Sequence, residues 1–430
     1  MKKIYLSLLL AVCCAPVFAF QHIVSYTLSR TVTKDEFRAQ MAARHLPKSV
    51  VPARYTVDVY EVIYYTQWHD GSQIKASGIY YVPRDTKKPR AEMVYDHGTR
   101  VSRGRSAKPG GEENICLGFA MDGYAVMEPD YIGLGTGDKF HLYQMAESEA
   151  QASIDMIFAA RELNDSLHIT TSGQLYLTGY SQGGHASLAT HRLIEQKYAG
   201  RLSVTASSPM SGAYDMCGVQ GQVMFHPYTR PHYLPYLLTS FNEVYHFMPD
   251  INMIYKHPYD SLVPLLFDGK HSINAIDKAL PLIPKDMIQD EFMTAFLVDS
   301  MHPLRIALRE NSLCEWAPAA PVQLCYCDSD EQVTAQNAFI AYNTMKGLGA
   351  KHVTLRKAGG NFTHSRCAPI AALYTKMYFD TFRRGSKYGG KGSAGQQIVA
   401  SMAKKLLVKN GHNRRDKEKK KEAQSGEKKG

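Results

Sequence analysis

Short apolar runs and longer amphipathic stretches follow one another along most of this chain. Apolar runs of about four to eight residues predict buried strands, whereas longer stretches with one apolar face predict helices. From residue 91 onward the two kinds of element alternate, which is typical of a mostly parallel sheet with helices on both faces. The predicted strands are 91–95, 124–127, 174–178, 203–207, 322–327 and 352–355, and the predicted helices are 147–163, 184–198, 334–348 and 370–384.

The beginning of the chain has a different pattern. Residues 34–45 form a predicted helix with Thr33 as its N-cap. Two β-rich runs, 55–65 and 73–82, flank the segment 69–72, whose Asp-Gly pair is typical of a tight hairpin turn. We therefore expect an antiparallel hairpin ahead of the parallel sheet.

The alternation of strands and helices is interrupted between residues 212 and 317. Connections in such sheets are usually about 2–6 residues long, so this segment is an insertion. It is rich in aromatic residues and shows helical patterns at 232–247 and 286–310. Its position before the strand at 322–327 predicts a mainly helical lid over the site; alternatively, its aromatic residues form the insertion's own core.

Length and composition agree with an α/β protein that carries one insertion. The chain has 430 residues, of which 44% are hydrophobic and 21% charged, as is ordinary for globular proteins. The expected organisation is a signal peptide at 1–19, an α/β core at 20–211 and 318–385, the lid insertion at 212–317, and a basic, disordered tail at 386–430.

The beginning of the chain predicts the compartment of the protein. A basic start at 1–3 and an apolar run at 4–12, too short to span a bilayer, precede small residues suited to cleavage after Ala19. This predicts a secreted or periplasmic protein without a transmembrane segment. Cys13 also suggests a lipoprotein. This is the second interpretation, because Val12 before Cys13 fits a lipidation signal poorly.

The basic charge is concentrated at the end of the chain. The formal net charge is +10, and residues 410–430 hold eight Lys or Arg against four acidic residues. The charge therefore favours a solvated tail over a nucleic-acid-binding groove, and we expect no nucleic-acid partner.

Six cysteines remain after the predicted cleavage. In an oxidising compartment they can form disulfides, and buried free thiols are an equally weighted alternative. Cys325 and Cys327 are two apart on a predicted strand and face the same side, so they should not pair with each other. The spacing of Cys and His residues predicts no metal site.

A Gly-x-Ser-x-Gly motif at residues 179–183 lies between a predicted strand and a predicted helix. On such a sharp turn the serine hydroxyl is held clear of the sheet, and glycines are needed where strand and helix pass closely. Ser181 is therefore the predicted nucleophile.

A serine nucleophile needs a histidine base and an acid that orients this base. The partners are expected after later strands, in the order serine, acid, histidine. His364 is the only histidine between the last predicted strand and the last predicted helix. Asp330 is the predicted acid because it lies farther beyond its strand than Asp328, which is the alternative.

Two backbone N–H groups should face the anion that forms during such a reaction. The residue after the nucleophile, Gln182, supplies one, and Thr99, after an early strand, is predicted to supply the other. His97 is expected to fix its own loop and to have no catalytic role.

These motifs resemble the α/β-hydrolase superfamily, in particular secreted bacterial esterases and secretory lipases. The similarity covers residues 55–385 and rests on the His-Gly-Thr at 97–99, the Pro-Asp-Tyr-x-Gly-Leu-Gly at 129–135 and the motif at 179–184. The family acid commonly lies in an Asp-x-x-Val arrangement, which here starts at Asp330.

The resemblance implies hydrolysis of a small-molecule or lipid carboxylic ester without a metal or cofactor. A serine peptidase of the same fold is the enzymatic alternative, although the sequence before His97 is too short for the β-propeller of oligopeptidases. A non-enzymatic binding protein of this fold is the other alternative.

Overall fold

A computed structural model describes residues 21–44, 52–104 and 111–406. The predicted signal peptide at 1–19 lies outside the described residues, as does the end of the predicted tail at 407–430.

Nine strands form one sheet in the part of the chain that the structure describes. Their order across the sheet is β1-β2-β3-β5-β4-β6-β7-β8-β9. The pairs from β1 to β5 are antiparallel, and the strands from β5 to β9 are parallel. The strands are β1 (Ile23–Val32), β2 (Val57–Gln67), β3 (Gln73–Pro83), β4 (Arg90–Asp96), β5 (Tyr124–Pro129), β6 (Thr171–Tyr180), β7 (Val204–Met210), β8 (Val322–Cys327) and β9 (Val353–Gly359).

Helices cover both faces of the sheet, as the alternating pattern predicts. The core on one face includes Phe37, Phe119 and Phe379 from α1, α2 and α11, and the core on the other includes Ile154 and Leu188 from α3 and α4. The helices are α1 (Lys34–Ala43), α2 (Glu113–Ala120), α3 (Ala146–Ser166), α4 (Gln182–Leu193), α5 (Tyr233–Tyr245), α6 (Tyr259–Leu266), α7 (Ile273–Ala279), α8 (Asp290–Val298), α9 (Pro303–Glu310), α10 (Gln336–Gly347), α11 (His364–Arg383) and α12 (394–406).

The predicted hairpin and its preceding helix are present. Gln67 pairs with Gln73 across the turn, and Thr33 caps α1 in a reciprocal capping box with Glu36. Strand β1 is absent from the sequence predictions. Val24, Tyr26 and Leu28 do alternate with polar residues there, but most of the side chains of β1 are exposed at the edge of the sheet.

The insertion between β7 and β8 is mainly helical and contains α5 to α9. Tyr236, Phe241 and Tyr255 are almost fully buried, in an apolar cluster that the insertion shares with the rest of the protein, since Tyr236 stacks on Tyr143. Its function as a lid remains a prediction.

The structure corrects the prediction of a disordered tail for residues 394–406, which form α12. Ala400 and Ala403 are each 1% exposed, and the Gln396 amide donates to Asp380 of α11 at 2.9 Å. A short amphipathic stretch therefore packs on the core before the strongly basic end of the chain begins.

None of the helices in the described ranges is both long enough and apolar enough to span a bilayer.

The crossing of α4 over β4 requires a glycine. A Cβ on Gly183 would overlap the Asp96 carbonyl, whereas one on Gly347, near the end of α10, would meet nothing within 4 Å. Gly183→Ala should therefore lower the free energy of unfolding by about 1–3 kcal/mol. Gly347→Ala should leave it unchanged or raise it by up to about 1 kcal/mol. Equal effects in urea unfolding would contradict this account of the crossing.

Candidate active site

Ser181 occupies a strained turn between β6 and α4. Its backbone has φ 62° and ψ −119°, outside the regions that a serine ordinarily prefers. The Ser181 N–H donates to the Met210 carbonyl at 3.0 Å, which ties the turn to the end of β7. Gly179 and Gly183 are needed because a Cβ on either would collide with backbone oxygens. The structure thus places this serine on the sharp turn that the motif predicts.

His364 and Asp330 contact each other directly. His364 Nδ1 lies 2.8 Å from both carboxylate oxygens of Asp330, and both side chains are buried. Asp330 also accepts the backbone N–H groups of Gln332 and Val333, at 3.1 and 2.9 Å. The carboxylate is therefore fixed by its own loop, and it holds the imidazole in the orientation that leaves Nε2 for other chemistry.

One cavity of about 540 Å³ brings the predicted residues together. Ser181, His364 and Thr99 all line it. They come from the carboxyl ends of β6, β9 and β4, which meet at one edge of a parallel sheet. The cavity therefore combines a hydroxyl, a carboxylate-paired imidazole and a backbone loop, the groups that acyl transfer requires.

The alternative acid, Asp328, lies apart from His364. Its carboxylate pairs with Lys357 at the surface, whereas that of Asp330 contacts His364. The neighbouring Glu331 accepts the His364 N–H at 2.9 Å, at the first residue of α11. That helix begins at His364 itself, six residues before the predicted start.

The two predicted oxyanion donors lie on different elements, Gln182 at the start of a helix and Thr99 in a loop. Gln182 is the first residue of α4, where a backbone N–H has no partner within the helix. The Gly98 N–H donates to the Glu112 carboxylate, 3.1 Å from each oxygen. This leaves the next N–H in the loop, that of Thr99, as the candidate beside the cavity.

Buried side chains hold the loop that carries Thr99, and sequence reasoning missed most of them. Burial raises the pKa of Glu112, which accepts from Gly98 and from the Tyr95 hydroxyl. Arg100 donates to Glu128 at 2.6 Å. Glu112 lies in a stretch without strong periodicity, so no sequence signal marks it.

His97 has the structural contacts expected of it. Burial lowers its pKa well below the ordinary range, so the ring is neutral. Its Nδ1 lies 2.7 Å from the Gly98 carbonyl oxygen, and its own carbonyl accepts the Tyr131 hydroxyl at 3.0 Å. His97 therefore fastens its loop to the segment that follows β5.

A second buried network fixes the side chain of Gln182. The Gln182 amide donates to Glu149 and to His141 Nε2, each at 2.7 Å. His185 Nδ1 lies 3.0 Å from the other Glu149 oxygen. The residue after the nucleophile is therefore anchored to α3.

A disulfide joins Cys327 to Cys367. Cys327 ends β8, three residues before Asp330, and Cys367 lies in α11, three residues after His364. Cys325 and Cys327 do not pair with each other, as predicted, and Cys325 is a free thiol. The crosslink therefore ties together the two segments that carry the acid and the imidazole.

Comparison with known proteins agrees with this fold. The secretory lipase family model matches residues 111–365. A Legionella pneumophila protein described as a hydrolase is 28% identical, with 85% of this chain and 99% of that chain covered and a TM-score of 0.80. The rice cell wall degrading esterase LipA of Xanthomonas oryzae is 26% identical over 90% of this chain and 98% of its own, with a TM-score of 0.72.

Candida antarctica lipase A shares the fold, with a TM-score of 0.64 at 14% identity over 90% of each chain. No curated protein matches by sequence. The fold and the comparisons define an α/β-hydrolase that hydrolyses carboxylic esters. The family match spans more than half of the chain, and the protein belongs to the secretory lipase family.

The two candidate acids should respond differently to loss of charge. Asp330→Asn should lower kcat about 10³–10⁴-fold, because the amide no longer stabilises the imidazolium that His364 becomes. Asp328→Asn should leave kcat near wild type and change stability by at most about 1 kcal/mol, as expected for an exposed ion pair. Steady-state hydrolysis of 4-nitrophenyl acetate and urea unfolding test both variants; the opposite pattern would assign the acid to Asp328.

Loss of the disulfide should affect stability and turnover together. A Cys327→Ala/Cys367→Ala variant should lose about 2–4 kcal/mol of stability through the freed unfolded chain. In the folded protein kcat should fall more than KM rises, because the segments that carry Asp330 and His364 are no longer crosslinked and the two side chains are held less firmly. Cys325→Ala, on the same strand, is the control and should keep kcat. If the double variant kept full kcat, the disulfide would stabilise the fold without positioning the Asp330–His364 pair.

Proposed function

We propose that this protein is an exported serine hydrolase that cleaves carboxylic esters through an acyl-enzyme. Ser181 is the nucleophile, His364 the base and Asp330 the group that orients it. The observation that supports this most is the 2.8 Å contact between the Asp330 carboxylate and His364 Nδ1, beside a cavity that Ser181 also lines.

Acylation begins when His364 Nε2 takes the proton of the Ser181 hydroxyl. The oxygen attacks the ester carbonyl carbon, and the carbonyl oxygen becomes an anion that the N–H groups of Gln182 and Thr99 stabilise. Asp330 stabilises the imidazolium. The bond to the alkoxy group then breaks, and His364 gives its proton to the departing alkoxide, which leaves as the alcohol.

Deacylation repeats these steps with water. His364 takes a proton from a water molecule, which attacks the carbonyl carbon of the acyl-enzyme. The bond to Ser181 breaks, the serine oxygen recovers its proton from His364, and the carboxylic acid leaves. The groups of the protein that act in these steps are the side chains of Ser181, His364 and Asp330 and the backbone amides of Gln182 and Thr99.

Export is supported by three observations. The chain begins with the basic and apolar pattern of a signal peptide at 1–19, and its family is that of secretory lipases. The disulfide between Cys327 and Cys367 suits an oxidising compartment.

Ser181→Ala should abolish turnover by about 10³-fold or more with the fold unchanged. A fluorophosphonate probe should label the wild type and not this variant. Ser187→Ala is the matched control. Ser187 is buried like Ser181 but lies within α4, where its hydroxyl donates to the Gly184 carbonyl. The Ser187→Ala variant should be labelled by the probe and should remain active.

A folded wild type that neither reacts with the probe nor hydrolyses esters would favour a binding protein. Cleavage of aminoacyl-anilides in preference to 4-nitrophenyl esters would favour a peptidase.

A further inference from the structure

Two cavities meet at Ser181. The larger has a volume of about 540 Å³ and the smaller about 80 Å³. Ser181 and Tyr233 line both, so the Tyr233 ring stands between them at the nucleophile. An ester bound at Ser181 therefore has two spaces into which its two halves can extend.

The two cavities have different walls. The larger runs between α2 and α11 and reaches Ala403 of α12. The smaller lies against the insertion, whose apolar side chains form much of its wall. These side chains include Met216, Val223, Met224, Leu237, Leu304 and Leu308.

The proposed catalytic groups lie toward the larger cavity. Among the described residues, His364, Gly98 and Thr99 line the larger cavity and not the smaller one. Ser181 alone of the proposed catalytic residues lines both. The two sides of the serine therefore differ, because the proposed proton donor and the loop that carries Thr99 lie on the side of the larger cavity.

We propose that the larger cavity binds the alcohol half of the ester and the smaller cavity binds the acyl half. This inference rests on the proposed function, in which His364 must give a proton to the departing alkoxide. The alkoxy oxygen has to lie on the His364 side, because a proton donor must be within hydrogen-bond reach of the atom it protonates.

The water that completes the reaction imposes the same arrangement. It must lie between His364 and the carbonyl carbon of the acyl-enzyme, which is the space that the alcohol has just left. An acyl chain held in the smaller cavity keeps this space open, whereas one held in the larger cavity would fill it.

The volume of the smaller cavity limits the acyl chain. A cavity of about 150 Å³ is large enough for benzene, so about half that volume accommodates roughly three carbons beyond the carbonyl. The smaller cavity measures about 80 Å³ and thus fits acetyl to butanoyl groups.

The larger cavity suits a bulky apolar alcohol. Its volume lies within the range of about 300–1,000 Å³ that is typical of ligand sites. Ile115, Phe119 and Leu373 contribute apolar wall beyond the catalytic residues. The inferred substrates are therefore short-chain acyl esters of large apolar alcohols.

Two isomeric esters test this division directly. Octyl acetate and ethyl octanoate have the same atoms and similar hydrophobicity, but they place the long chain on opposite sides of the carbonyl. The wild-type enzyme should hydrolyse octyl acetate with a kcat/KM at least about tenfold higher, since a misfitted methylene costs about tenfold or more. Acid release at constant pH measures both reactions.

Matched variants then assign the chains to their cavities. Leu237→Ala should enlarge the acyl side and raise kcat/KM for ethyl octanoate relative to ethyl acetate about tenfold. Leu373→Ala removes the same atoms from an equally half-buried leucine of the larger cavity and should leave that ratio unchanged. Val223→Ala, in the same wall as Leu237, replaces Leu237→Ala if that variant does not fold.

The possible outcomes are distinguishable. A preference for octyl acetate below about tenfold, a preference for ethyl octanoate, or an exchange of the two variants' effects would overturn the division while the proposed function stands. A folded enzyme that hydrolyses none of these esters, nor 4-nitrophenyl acetate, and escapes the fluorophosphonate probe would overturn the proposed function and the division with it.

Discussion

The close approach of α4 to the ends of β4 and β6 is the constraint on which the site depends. The backbone of Gly183 lies so near the Asp96 carbonyl that no side chain fits between them, and Gly179 is confined in the same way. This contact fixes the turn at Ser181 with its positive φ. The helix α4 therefore begins directly after the nucleophile, with the positive end of its dipole beside Ser181.

Around this crossing, carboxylates that accept backbone N–H groups hold the loops at the edge of the sheet. Glu112 holds the Gly98 amide, and Glu331 holds the His364 amide. Such contacts fix backbone positions without occupying the side chains that carry the chemistry. Loops that position reacting groups are thereby given much of the rigidity of the strands they follow.

Elements with strong periodicity could be predicted from the sequence, because a buried strand or one-sided helix is encoded locally. The core strands and most core helices lie within a few residues of their predicted positions. The sequence also pointed to Ser181 and His364, which line one cavity, and to Asp330, whose carboxylate contacts His364. Strand order confines such residues to the loops after successive strands.

What could not be predicted depends on contacts between distant segments. The partner of Cys327, forty residues away, is determined by how α11 lies across β8, which no local pattern records. Glu112 becomes a support of the Gly98 loop only because α2 packs beside that loop. The surface on which the helix at 394–406 packs also lies far away in the chain, since Gln396 donates to Asp380 of α11.

That last helix has a consequence for how the specificity of this enzyme can change over evolutionary time. Ala403 lies in the wall of the larger cavity, although it follows the whole catalytic core in the chain. Ala403 is also buried, so a larger side chain there would have to displace its neighbours or extend into the cavity. Substitutions in this helix can therefore change the space open to a substrate while the residues that make and break bonds remain untouched.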